Sequence, residues 1–223
     1  MRVDEEKQAY VMLDIAPAIL VYTPEELAAR VRSVPSAKTL HIDIMDGKFV
    51  NNTTIGTAEL QNLPADRQVE YHLMVSDPVG FIQALPGGKN RIFEVQLESV
   101  MEGDEGRIKK MVEAKGSKLA WVLNPPTPLS RLLPHLEGVH HVLLMTVNPG
   151  WAGQAYMGEV EEKMRQLRQL HPKLVIEIDG GVGPKTILHA LKAGANRFAA
   201  ASAVFGHKEP DKALKELERL QKD

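Results

Sequence analysis

The chain has 223 residues with 43% hydrophobic and 25% charged side chains, a composition typical of a globular protein that excludes a disordered or fibrous chain. Its formal net charge of −2 gives no bulk attraction for nucleic acid or an anionic membrane, so an anionic ligand needs a local site. Cysteine is absent, which excludes disulfides and thiolate chemistry, and residues 1–8 are charged, so we expect no signal peptide, no membrane span and a cytoplasmic location.

The hydrophobic pattern predicts eight strands that alternate with helical segments. In chain order, the strands are expected at 12–20, 38–45, 68–75, 91–98, 118–123, 141–145, 173–179 and 196–201. The helical segments are expected at 24–34, 57–62, 78–85, 104–115, 128–136, 157–170, 184–193 and 210–221. Thr23 and Pro24 form a typical helix start, because threonine caps free N–H groups and proline has none to satisfy. After the last strand, the sequence predicts a loop from Ser202 through Gly206.

The alternation of strands and helices indicates parallel strands joined by right-handed crossovers. Two architectures satisfy it, a closed eight-stranded barrel and an open doubly wound sheet. We favour a single α/β domain with the (β/α)8 TIM-barrel fold, because eight units fit the roughly 200–250 residues that such a barrel needs. The sequence has no linker or low-complexity segment, so we expect one domain over residues 1–223.

The second predicted strand carries the first chemical signal. Side chains on a strand alternate between faces, so His41, Asp43 and Met45 share one face. The opposite face is apolar and consists of Leu40, Ile42 and Ile44. A buried carboxylate is costly unless it is paired or binds a metal. This strand therefore holds either a hydrogen-bonded His–Asp pair or part of a metal site.

Two further strands end in groups that can bind a metal. His72 and Met74 share a face of the third strand, and Glu177 and Asp179 share a face of the seventh. Both strands end at the edge where barrels place their active sites. Two imidazoles and two carboxylates suit one divalent metal ion such as zinc, iron(II), manganese or cobalt. The alternative is four separately satisfied core residues. The four candidate ligands are His41, Asp43, His72 and Asp179.

Three turns rich in glycine or small residues follow the last three strands. Backbone N–H groups approach phosphate oxygens closely where no side chain intervenes, and the late loops of barrels commonly bind phosphate. Taken alone, each turn is equally well explained by the ordinary use of glycine and small residues in turns. The turn residues are Gly150, Trp151, Ala152, Gly153, Gly180, Gly181, Ala201 and Ser202.

Six segments together carry a more specific signal. They are HIDIMDGKFV at 41–50, HLMV at 72–75, MTVNPGWAGQ at 145–154, EIDGGV at 177–182, IAPAIL at 15–20 and ASA at 201–203. In order and spacing, this set resembles the signature blocks of the ribulose-phosphate 3-epimerase family. The resemblance spans about residues 15–205.

The resemblance implies a barrel enzyme that interconverts D-ribulose 5-phosphate and D-xylulose 5-phosphate. It implies that the four candidate ligands hold one divalent metal ion, and that Asp43 and Asp179 are also the catalytic acid and base. His72 and the three turns would contact the sugar phosphate. It further implies that the protein is a homo-oligomer and that three methionines line the substrate pocket. Periodicity alone would equally place these methionines in the core of the barrel. These methionines are Met45, Met74 and Met145.

Four positions depart from the family pattern. Ala18 stands where serine is usual, Gln96 where histidine is common, Ala152 within a loop that usually reads Gly-Phe-Gly-Gly, and Ala201 where glycine is usual. All four positions belong to the expected substrate pocket, whereas all four metal ligands are intact. Two alternatives therefore stay open: a related epimerase for a six-carbon ketose phosphate, and a sugar-phosphate binder without catalysis.

Overall fold

The computed structural model describes residues 13–220 and forms a closed barrel of eight parallel strands. The predicted (β/α)8 barrel is therefore confirmed, and the open sheet is not formed. The strands are β1 (Asp14–Ile19), β2 (Thr39–Met45), β3 (Gln68–Met74), β4 (Arg91–Gln96), β5 (Lys118–Leu123), β6 (His141–Met145), β7 (Val175–Asp179) and β8 (Arg197–Ala200).

Helices connect the strands, and most begin where the sequence predicts. The Thr23 hydroxyl accepts a hydrogen bond from the Glu26 N–H at 3.2 Å and caps the first helix as expected. Gly194 ends the fifth helix with φ of 110°. The helices are α1 (Pro24–Ser33), α2 (Pro78–Ala84), α3 (Glu105–Ala114), α4 (Glu161–Leu170), α5 (Pro184–Ala193), α6 (Ser202–Phe205) and α7 (Pro210–Leu217).

Two predicted segments are wrong in type. Residues 128–136 form two 3₁₀ turns, Leu129–Arg131 and Leu133–His135, instead of a helix. Pro134 explains the difference, because proline has no N–H for an α-helical hydrogen bond and its ring clashes with the preceding turn. The predicted loop after β8 is instead the short helix α6, whose Val204 is fully buried against the core.

A third segment also differs in helix type, and the other differences concern element ends. The segment predicted at 57–62 is a 3₁₀ turn at Glu59–Asn62, and another 3₁₀ turn at Gly158–Val160 precedes α4. β4 stops at Gln96 because the chain enters a 3₁₀ turn at Leu97–Ser99. The expected absence of a signal peptide in residues 1–8, the first position of the first strand and position 221 of the last helix lie outside the described residues.

The two faces of the strands serve different purposes. Outward-facing side chains pack under the helices in one buried apolar cluster, and each fully buried Ile, Leu or Phe contributes about 1.5–3 kcal/mol. The inward face is largely polar on β2, β3, β4 and β7, while a small apolar cluster lies between β5 and β6. The outward cluster includes Leu40, Ile42, Ile44, Tyr71, Phe93, Trp121, Ile176 and Ile178. The chemistry of the barrel therefore lies inside it.

Strand register brings the predicted ligands together. Asp43 on β2 lies directly opposite His72 on β3, and Met45 lies opposite Met74. On the other side of the barrel, Met145 on β6 lies opposite Asp179 on β7.

Within residues 13–220, no helix combines the length and the apolar character that a membrane crossing requires.

Candidate active site

A pocket with a cavity of about 230 Å³ opens at the carboxyl ends of the strands. Every site residue predicted from the sequence lines it except His41 and His72, which are fully buried beneath its floor. The predicted lining residues are Asp43, Met45, Met74, Met145, Gly150, Trp151, Ala152, Gly153, Asp179, Gly180, Gly181, Ala201 and Ser202. The sequence did not single out the apolar wall formed by Leu20, Val147, Pro149, Val182 and Ala199.

The four candidate metal ligands converge at the floor of this pocket. One ligand atom from each lies within 4.8 Å of the others. His72 Nδ1 lies 3.2 Å from His41 Nε2, 3.0 Å from Asp43 Oδ1 and 3.6 Å from Asp179 Oδ2. Two nitrogens and two carboxylate oxygens at these separations match the donors of zinc and of other divalent transition metals. The residues present therefore fit a metal ion.

The two aspartates of the site have opposite pKa shifts. Burial alone would raise the pKa of Asp43, but hydrogen bonds from His41 and His72 hold it below its usual range. Burial and the charge of Asp43 raise the pKa of Asp179 to about 6. One carboxylate thus stays ionised while its neighbour can carry a proton near neutral pH, a pattern typical of acid–base pairs.

His41 also has a shifted pKa. Burial lowers it, but the charge of Glu94 and the nearby carboxylates of Asp43, Glu177 and Glu70 outweigh burial and raise the pKa well above its usual value. In the metal-free arrangement the ring therefore carries a proton that an incoming cation must displace from Nε2.

Contacts with a neighbouring loop hold the end of β2 in place. The Thr54 hydroxyl donates to the Asp43 carbonyl at 2.8 Å and accepts from the Met45 N–H at 2.9 Å. The Asp46 carboxylate accepts from Lys48 N–H at 2.9 Å and from Ser76 N–H at 2.8 Å. These bonds fix the loop after β2 next to the end of β3. Thr54 gave no sequence signal, because its contact depends on the loop folding back onto the strand.

Two glycines after β7 allow the chain to turn into the pocket. Gly180 has φ of 115° and Gly181 has φ of 62°, conformations that other residues rarely adopt. A Cβ atom on Gly181 would lie 2.6 Å from the backbone nitrogen of Tyr156, and one on Gly180 would lie 2.5 Å from a Val147 methyl group. The loop after β6 therefore packs directly on the turn after Asp179.

Gln96 occupies the far side of the His72 ring. Its side-chain nitrogen lies 3.0 Å from His72 Nε2, and its buried oxygen has no partner among the described residues. Because His72 Nδ1 faces the other ligands, a metal-bound ring carries its proton on Nε2. In that state the amide oxygen of Gln96 would face the ring and accept the proton, which requires a 180° rotation of the side-chain amide. Gln96, which stands where the family commonly has histidine, therefore lies directly behind the candidate ligand His72.

A second polar cluster lies below the candidate metal site. We call it the lower polar layer and define it as Glu70, Glu94, Glu177 and His141, all buried. Of these four residues, only Glu177 is among those singled out from the sequence. The available signal was the alternation of the strands, because Glu70 lies two residues before His72 and Glu94 two residues before Gln96.

Comparisons with known proteins identify the family of the chain. The sequence profile described as the Ribulose-phosphate 3 epimerase family matches residues 14–205. The cytoplasmic isoform of ribulose-phosphate 3-epimerase from Oryza sativa subsp. japonica is 38% identical over 212 residues, which cover 92% of each chain. Ribulose-phosphate 3-epimerase from Bacillus subtilis strain 168 is 34% identical over 215 residues, covering 92% of this chain and 98% of the relative.

Solved structures of low sequence identity share the fold. A 3-hexulose-6-phosphate synthase superposes with a TM-score of 0.65 at 17% identity, covering 94% of this chain and 99% of the other. A 3-keto-L-gulonate-6-phosphate decarboxylase from Vibrio cholerae gives a TM-score of 0.64 at 15% identity, covering 93% and 96%. The profile match and the curated relatives each span most of the chain. It therefore belongs to the ribulose-phosphate 3-epimerase family and is an enzyme, an isomerase of carbohydrates.

Proposed function

We propose that this chain interconverts D-ribulose 5-phosphate and D-xylulose 5-phosphate by metal-dependent epimerisation at C3. The observation that carries the proposal is the convergence of two imidazoles and two carboxylates at the floor of one pocket. Family membership and the names of the relatives support this substrate pair. The sugar would lie over the aspartates, with its phosphate toward the glycine-rich turns.

His41, Asp43, His72 and Asp179 would hold one divalent ion, which could be zinc, iron(II), manganese or cobalt. When bound, the ion supplies positive charge that stabilises the negative charge developing on the substrate oxygens. Its ligands come from three different strands, so the barrel sets their positions before the ion arrives. This preorganisation supports a catalytic role for the ion.

The two aspartates divide the proton transfers between them. One carboxylate removes the proton from C3, and the bonding electrons move into the C2 carbonyl to give an enediolate. The other carboxylic acid returns a proton to the opposite face of C3, which inverts that centre. The lowered pKa of Asp43 and the raised pKa of Asp179 support such a pair, because one is ionised while the other retains a proton.

The turns after β6, β7 and β8 would bind the phosphate. Gly150 to Gly153, Gly180 with Gly181, and Ala201 with Ser202 all line the same pocket, and their backbone can approach an anion closely. Trp151 is 59% exposed and lies in the first of these turns, where it can cover a bound sugar. Met45, Met74 and Met145 would supply an apolar, polarisable wall without a competing proton donor.

A second candidate substrate is a six-carbon ketose phosphate. Ala152 and Ala201 line the pocket where the family usually has glycine, and Ala18 replaces a serine on β1. The changes at Ala152 and Ala201 alter the walls of the pocket, whereas Ala18 is buried outside its lining, and the metal ligands are intact. Comparing kcat/KM for five- and six-carbon ketose phosphates separates the two substrates.

The test is an activity assay on metal-stripped protein refilled with zinc, iron(II), manganese or cobalt. We expect turnover of ribulose 5-phosphate to xylulose 5-phosphate only in refilled samples. Metal-independent turnover would refute the proposed role of the ion. Absence of turnover of either substrate with every ion, in folded protein that still binds sugar phosphate, would instead identify a non-catalytic binder.

A further inference from the structure

The lower polar layer places three carboxylates inside the barrel with no access to water. Glu70, Glu94 and Glu177 are each fully buried, and one oxygen from each, together with one nitrogen of His41, lie within 4.8 Å of one another. A buried charge is strongly destabilising unless it has a partner. Each carboxylate in this layer therefore needs a cation or a hydrogen-bond donor.

Two of the three carboxylates already have such a partner. Glu70 Oε1 lies 2.6 Å from Arg197 Nη1, within a strong ion pair. Glu177 Oε2 lies 2.7 Å from His141 Nε2. Neither oxygen of Glu94 has a hydrogen-bond partner among the described residues, although both are fully buried. Glu94 is thus the carboxylate of this layer that still lacks a donor.

His41 is the donor nearest to Glu94. Its Nε2 faces the candidate metal site, 3.2 Å from His72 Nδ1, so a neutral metal-bound ring carries its proton on Nδ1. That Nδ1 points into the lower polar layer and has no hydrogen-bond partner within residues 13–220. It lies 3.1 Å from Glu94 Oε2, and 3.5 Å from Glu70 and Glu177. The unsatisfied donor and the unsatisfied acceptor are therefore neighbours.

We propose that Glu94 is a positioning residue, whose carboxylate accepts the Nδ1 proton of His41 and so directs Nε2 at the metal. A small rotation of the ring aligns the N–H with Glu94 Oε2. Carboxylates behind metal-bound histidines fix the tautomer and orientation of the ring in this way. The inference rests on the proposed metal site, and it assigns Glu94 no contact with the sugar.

The same atoms could instead hold a second cation. Glu70, Glu94, Glu177 and His41 Nδ1 form a set of possible ligands. Two observations argue against it. His41 would have to bind through both nitrogens and lose its second ring proton. In addition, Arg197 already brings positive charge to Glu70, and His141 Nε2 already lies 2.7 Å from Glu177 Oε2.

The test compares metal binding with fold stability. Glu94→Gln keeps the shape of the side chain and removes its charge. We expect the affinity for zinc, measured by competition with a chelating dye, to fall about 10- to 100-fold. The visible spectrum of the cobalt-loaded protein should change as well. The thermal midpoint of the metal-free protein should change much less than zinc affinity, because glutamine keeps the volume and the hydrogen-bonding capacity of the side chain.

Two further variants make the result specific. Glu105→Gln removes a buried carboxylate on α3, outside the barrel interior, and should leave metal affinity unchanged. Glu94→Asp keeps the charge with a shorter reach, so its affinity should lie between those of the wild type and Glu94→Gln. Glu94→Asp also tests the positioning role of Glu94 if Glu94→Gln fails to fold.

Three outcomes would overturn the inference. Equal zinc affinity in the wild type and both Glu94 variants would remove the positioning role and leave the proposed function untouched. Two ions in the wild type and one in Glu94→Gln would identify a second cation site. A wild type that binds no metal would refute the metal-dependent function, and the role of Glu94 with it.

Discussion

Gln96 offers the sharpest local test of the candidate metal site. It is fully buried, and its amide lies 3.0 Å from His72 Nε2. Gln96→Leu has a similar volume but no acceptor. In the metal-bound protein, His72 Nε2–H would then be buried without a partner. The metal-free protein escapes this penalty, because its ring can place the proton on Nδ1, 3.0 Å from Asp43.

The size of the effect follows from this difference. Leaving a buried donor unsatisfied costs about 1–3 kcal/mol. Because the cost falls on the metal-bound state, it weakens metal binding by about 5- to 150-fold, at 1.4 kcal/mol for each factor of ten. The unfolding free energy of the metal-free protein should change much less. Gln96→His can accept the same proton and should bind metal nearly as well as the wild type.

The assay is a zinc competition titration combined with urea unfolding of the metal-free protein. Gln68→Leu is a matched control, because Gln68 lies on the inward face of β3 at the opposite end of the strand from the metal site. It should leave zinc affinity unchanged. If Gln96→Leu binds zinc as tightly as the wild type, then His72 does not bind the metal through Nδ1.

Three other changes test separate parts of the structure. Asp179→Asn should lower turnover at least about 100-fold while metal remains bound, and normal turnover in metal-loaded protein would exclude Asp179 as the acid or base. Gly181→Ala should lower the unfolding free energy by at least about 1 kcal/mol and raise KM, because Gly181 has a positive φ and a Cβ there would meet the Tyr156 backbone. Urea unfolding and steady-state kinetics measure both effects, and Gly183→Ala is the control because a Cβ at that position has open space around it. The pKa of Asp46 is about 2 although burial raises it, because hydrogen bonds from Ser76 and the following backbone favour the carboxylate. Since this folded-state pKa lies below the ordinary value of 3.8, its stabilisation is complete above about pH 4 and is lost as the pH falls toward 2. Urea unfolding over that range should therefore show a weaker pH dependence for Asp46→Asn than for the wild type, and an equal dependence would contradict the assigned hydrogen bonds.

The sequence predicted the barrel and most of the pocket because both depend on short periodic patterns. Alternation along a strand decides which side chains face inward, and it identified His41, Asp43 and Met45 from their spacing alone. The carboxyl ends of parallel strands then meet at one end of the barrel, independently of the conformation of the loops. The glycine-rich turns that line the pocket were predictable for a similar reason, since glycine is favoured wherever the backbone must turn closely around a neighbour.

What the sequence did not predict depends on contacts between distant segments. Thr54 reaches the carbonyl of Asp43 only because its loop folds back, and no local pattern encodes that bond. The inward direction of Glu94 was readable from alternation, but the lack of a partner for its carboxylate among the described residues was not. The helix predicted at 128–136 is wrong because Pro134 interrupts it and leaves two 3₁₀ turns.

A metal ion held by the candidate ligands would also report whether the barrel is closed. His41, Asp43 and His72 come early in the chain, whereas Asp179 comes late and joins them only when β8 pairs with β1. An ion bound by all four favours the closed barrel over any half-barrel by mass action. Two fragments cut between β4 and β5 would each lack part of the set. Their reassembly could therefore be followed by metal titration, with the ion acting as a non-covalent clasp between the two halves.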